Sequence, residues 1–97
     1  MRVAALRVEL HLPTPQSLKE KRAVLRPLIE GIKRLGSYSV SEVDHHDLWQ
    51  RAAVGVAIVA PDGEGLAIQI SKLRRYLDRQ LEADVLDMLI SELEEPE

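Results

Sequence analysis

AALRVELHLPTPQSLKE, residues 4–20, holds a strand, a stop and a helix start in one run. Side chains of an extended chain alternate between faces. Ala4, Leu6, Val8, Leu10 and Leu12 therefore share one side, and Ala5, Arg7, Glu9 and His11 the other. That alternation predicts a half-buried strand. Pro13 and Pro15 stop it, and Ser17 with Glu20 has the S-x-x-E spacing of a helix capping box.

Beyond the cap, Leu18, Leu25, Leu28, Ile29, Ile32 and Leu35 fall on one helical face, and Gly36 ends it. Pro27 interrupts this helix, and its missing N–H predicts a kink or a split. SYSVSEV, residues 37–43, reads as a strand with Tyr38 and Val40 inward. QRAAVGVAIVA, residues 50–60, reads as another, with Val54, Val56 and Ile58 inward and Ala53, Gly55 and Ala57 outward. Pro61, Asp62 and Gly63 break the chain before a second helix over about residues 64–80, which buries Leu66, Ile70, Leu73 and Leu77. A last strand is expected at 83–90.

The order is strand, helix, strand, strand, helix, strand. One sheet with one apolar face and two amphipathic helices to cover it gives a ferredoxin-like βαββαβ α/β sandwich, with a four-stranded antiparallel sheet and both helices on one face. Right-handed crossovers then bring the loop after the first strand, the turn between strands two and three, and the loop before strand four to one end. Ser17 and Lys19 are thus expected near residues 44–51, with His11 close by.

The chain has 97 residues, enough for one core. We expect a single domain over residues 1–91 and a solvated acidic tail over 92–97. Without cysteine there are no disulfides, thiolate catalysis or Cys-ligated zinc. No apolar run approaches a signal peptide or membrane span, so the expected setting is soluble and cytoplasmic, away from membranes. The net charge of −3 hides an asymmetry: residues 1–35 carry eight Lys/Arg against three acids, and residues 36–97 five against thirteen.

SLKEKR (residues 17–22) and VDHHDLWQRA (residues 43–52), with ELHLP and VGVAIV, resemble the YlxP-like family of small bacterial proteins. The resemblance covers nearly the whole chain and implies a ferredoxin-like fold with no settled activity. Genes of that family often lie near those of translation and ribosome-maturation factors, which implies an RNA or ribosome connection by association. The family usually has one histidine where this chain has His45 and His46, and Pro27 is a second departure.

Three constellations carry candidate chemistry. Lys19, Arg22, Arg26 and Lys33 recur at spacings of three, four and seven along one flank of the first helix, with Lys21 beside them. At 1.5 Å per residue the stripe spans about 21 Å, long enough for several phosphates. Lys72, Arg75 and Arg79 repeat the pattern on the second helix. Solubility alone also favours such surfaces. Asp44, His45, His46 and Asp47 form a polar turn that, with His11, makes a pH-sensitive rim; a metal-dependent hydrolase there is the weakest alternative, because the spacing gives neither three ligands nor a nucleophile. On the open sheet face, base-stacking aromatics are absent except Trp49, beside Arg51, and the small residues Ala53, Gly55 and Ala57 suit a dimer.

The expected function is thus a non-catalytic accessory protein that binds RNA or a ribosomal particle. Lys19, Lys21, Arg22, Arg26 and Lys33 supply phosphate contacts, and Trp49 and Arg51 add stacking or specificity. No cofactor, catalytic residue or metal ligand is assigned. The alternative is a protein-interaction module that forms a homodimer through its open face.

Overall fold

A computed structural model of the protein describes residues 1–95. Six elements follow in order: β1 (Arg2–His11), α1 (Leu18–Leu35), β2 (Tyr38–Asp44), β3 (Arg51–Ala60), α2 (Gly63–Asp78) and β4 (Asp84–Glu94). The strands form one sheet in the order β2-β3-β1-β4, and every neighbouring pair is antiparallel. This is the ferredoxin-like arrangement that the alternating patterns imply.

One face of the sheet and the two helices enclose the core. Leu6, Val8, Leu10 and Leu12 from the first strand and its exit meet Val54, Val56 and Ile58 of β3, and all are buried. Leu25, Leu28 and Ile32 of α1 and Leu66, Leu73 and Leu77 of α2 close over them. Burial of each Leu or Ile stabilises the fold by about 2 kcal/mol. With no Phe, aliphatic side chains fill this space, and Tyr38 enters at the edge, its hydroxyl donating to Gln69 Oε1 at 2.7 Å.

Ser17 caps α1 by accepting the Glu20 N–H at 3.1 Å. The reciprocal half of the box differs: the Glu20 carboxylate takes the Ser17 hydroxyl at 3.4 Å. At the other end Gly36 is extended, and Lys72 Nζ satisfies the Leu35 carbonyl at 2.9 Å. Lys72 is therefore a cap, not part of a free basic stripe. Pro27 does not split the helix, which runs unbroken across it.

Two further expectations are corrected. The acidic residues from 92 are not a tail, because β4 continues through Glu94 and pairs with β1 as far as Arg2. Arg2 pairs with the Glu92 carboxylate at 3.3 Å and the Met1 ammonium with Glu95 at 3.2 Å, exposed contacts that accompany this backbone pairing. Pro96 and Glu97 lie outside the described residues. Ala53 faces the open side as expected, opposite Glu9 and Asp44, yet it is fully buried beneath a polar network described below.

Candidate functional site

The connection between β2 and β3 folds back onto α1 through Lys21. Its side chain is only 3% exposed; Nζ donates to the His45 carbonyl at 2.7 Å and lies 3.0 Å from Glu42 Oε2. His45 has a φ of 60°, a left-handed conformation that is uncommon outside glycine. Asp44 Oδ1 accepts the His45 N–H at 2.8 Å, and the Leu48 N–H closes the turn on the His45 carbonyl at 3.1 Å. Lys21 is therefore a buried strut of this turn. A phosphate cannot reach it, which corrects its expected role in binding.

Glu9 sits at the centre of the network on the open sheet face. Its carboxylate accepts from Arg7 Nε at 2.9 Å and Arg51 at 3.1 Å, and lies 3.0 Å from His45 Nε2. Burial by itself would raise the Glu9 pKa; the hydrogen bonds from Arg7, Arg51 and His45 outweigh it and hold the carboxyl below its ordinary value. Arg7 also reaches Asp44 at 2.8 Å. That bond, with the His45 N–H, lowers the Asp44 pKa, while the Asp44 and Glu9 bonds raise that of Arg7. Two cations and two carboxylates thus neutralise one another above Ala53. Arg51 is a member of this network, although 41% of its side chain stays exposed.

The remaining turn residues diverge. His46 Nε2 approaches the Glu42 carbonyl at 3.2 Å, and Asp47 is exposed. His11 Nδ1 lies 3.5 Å from Asp84 at the start of β4. Among the described residues no three His, Cys, Asp or Glu side chains group as metal ligands. Trp49 is half-exposed at the rim. Gln50 Nε2 bonds the Pro13 and Pro15 carbonyls at 3.3 and 3.1 Å, so the loops do converge at one end as the topology requires.

The outer face of α1 is of a different kind. Lys19, Arg22, Ala23, Arg26, Pro27, Glu30 and Arg34 line a shallow groove of 610 Å³ along the helix. Lys19, Arg22, Arg26 and Arg34 are exposed, and their side chains make no ion pair among the described residues. Lys33, expected in this stripe, instead pairs with Glu30 at 3.3 Å. Arg34 joins the groove in its place. Its position was legible as the second step in the four-residue repeat Arg26, Glu30, Arg34.

A family model described as Protein of unknown function (DUF503) matches residues 3–90. This chain belongs to the DUF503 family. The uncharacterized protein YlxP of Bacillus subtilis (strain 168) is 32% identical to this DUF503 member over 62 residues, covering 64% of this chain and 67% of that one. Among solved structures, an antibiotic biosynthesis monooxygenase superposes with a TM-score of 0.54 at 16% identity over 100% of both chains. A de novo designed ferredoxin-fold protein, LFR1 1, gives 0.51 at 11% identity over 96% of this chain and 84% of its own. At such identities the likeness is one of fold. Among the described residues of this DUF503 protein, no helix is long and apolar enough to cross a membrane.

Proposed function

We propose that this protein is a non-catalytic accessory factor of the cytoplasm that binds RNA, free or in a ribosomal particle, through the outer face of α1. The observation that carries the reading is the groove with four cations, Lys19, Arg22, Arg26 and Arg34, that make no ion pair among the described residues. Lys19 and Arg34 stand fifteen positions apart in one helix, about 22 Å at 1.5 Å per residue. A polyanion spans that distance; a small anion does not. Each phosphate that a cation neutralises releases condensed counterions. Four contacts predict that log K falls with log salt at a slope of about −3 to −4. Titration of ribosomal RNA at several salt concentrations tests this, and affinity indifferent to salt would reject it.

A specific feature supports a second reading, self-association through the open sheet face. Val59, Leu89 and Leu93 are exposed there at 63%, 55% and 71%, beside a shallow apolar hollow of 380 Å³ that includes Ala5, Val43 and Gly55. Leu89 pairs across from Arg7 and Leu93 from Val3, so both belong to the face away from the helices. Exposed apolar clusters of this kind mark contact surfaces. Arg51 lies at the polar end of that face and Trp49 at its rim, where they would supply contacts to a second copy.

A further inference from the structure

We propose that the backbone gap at Pro27 is a ribose-recognition point, through which the α1 groove senses the 2′-hydroxyl of RNA. This inference rests on the reading of α1 as the RNA-binding face.

Pro27 lies in the interior of an eighteen-residue helix and is itself exposed. It has no N–H, so the Ala23 carbonyl, four residues earlier, loses the donor that every regular helix position provides. An interior proline is destabilising for a helix. Here it stands on the solvent side, opposite the buried Leu25, Leu28 and Ile32. Ala23 and Pro27 line the middle of the groove, with Lys19 and Arg22 toward one end and Arg26 and Arg34 toward the other. Glu30 is the acid among the lining residues and is held by Lys33.

A cationic wall by itself recognises phosphate and cannot tell RNA from DNA. The 2′-hydroxyl is the group that differs, and it can act as a donor. The Ala23 carbonyl, to which Pro27 offers no N–H, lies between phosphate-binding side chains and is an acceptor at the place where sugars pass. Base recognition is not required, and the helix layer offers no free aromatic for it. Tyr76 donates its hydroxyl to the Leu28 carbonyl at 2.9 Å, and Tyr38 is buried. The groove therefore suits the sugar–phosphate backbone of an A-form duplex.

The test compares a short RNA duplex with a 2′-fluoro duplex of the same sequence, which keeps A-form geometry and lacks the hydroxyl donor. Binding is followed by fluorescence anisotropy for the wild type and for Pro27→Ala. One hydrogen bond predicts that the wild type prefers the hydroxyl-bearing duplex by about fivefold. Pro27→Ala restores the helical N–H, so the preference falls to near unity while the salt slope is kept and the melting temperature rises. A preference that survives Pro27→Ala, or a wild type that binds both duplexes equally with the same salt slope, overturns the inference and leaves the α1 reading intact. No salt-dependent binding of either duplex overturns both.

Discussion

Lys21 Nζ donates a 2.7 Å hydrogen bond to the carbonyl of His45, twenty-four residues further along the chain. The contact ties the exit of β2 to the first turns of α1. It separates two kinds of cation on one helix: Lys21 inside, holding the turn, and Lys19, Arg22, Arg26 and Arg34 outside. Removing a partner from a buried pair leaves polar atoms unsatisfied. Lys21→Met is expected to cost about 2–3 kcal/mol of stability, read from the urea midpoint. An unchanged midpoint would mean that the strut contributes nothing.

The acid side of the stability curve should report Glu9 and Asp44. Both carboxyls titrate lower in the folded protein than their ordinary values near 4.5 and 3.8. A lowered folded pKa gives stability that is present above the unfolded pKa and lost as pH falls through the folded one. Chemical denaturation should therefore show a constant contribution above about pH 5 and a decline below about pH 4.5. Glu9→Gln is expected to weaken that decline. A variant that loses stability in acid as steeply as the wild type would contradict the assignment.

Helix spacing depends on Gly31. A Cβ built there would meet the Tyr76 hydroxyl and ring, the same hydroxyl that donates to the Leu28 carbonyl. Gly31→Ala should push α2 outward or break that bond, at a cost of about 1–3 kcal/mol despite the better helix propensity of alanine. Thermal melts decide it, and a stabilised variant would show that Tyr76 moves aside freely.

Self-association through the open face makes its own prediction. Leu89→Asp with Leu93→Asp alters exposed positions and should leave the melting temperature within a few degrees. If the second reading holds, sedimentation shows a wild-type mass that grows with concentration and a double variant that stays monomeric. A wild type monomeric at every concentration excludes that reading.

The strands and helices were legible because their signals are local. β1 alternates strictly, α1 repeats its leucines at helical spacing, and Ser17 and Asp62 announce helix starts. The errors came from contacts between distant segments. The continuation of β4 follows from its backbone pairing with β1 as far as Arg2, some ninety residues away, where Arg2 and Met1 also meet Glu92 and Glu95. At Gly55 a Cβ would lie 2.8 Å from Val43 Cγ1, a contact with bulged β2 that the alternating pattern of β3 does not reveal. Lys21 did carry a signal: it precedes Leu25 by four and Leu28 by seven, the spacing of the buried face. Its positive charge hid it, because buried lysine is rare. The left-handed turn at His45 had no glycine to mark it.

The most direct measurement is binding to purified ribosomal subunits and their RNA at two salt concentrations, with the wild type beside a Lys19→Glu, Arg22→Glu, Arg26→Glu variant. All three side chains are exposed, so the variant is expected to fold, which circular dichroism verifies. The account predicts salt-sensitive binding by the wild type and none by the folded variant. Equal binding by both, or no binding by the wild type at low salt, would contradict it.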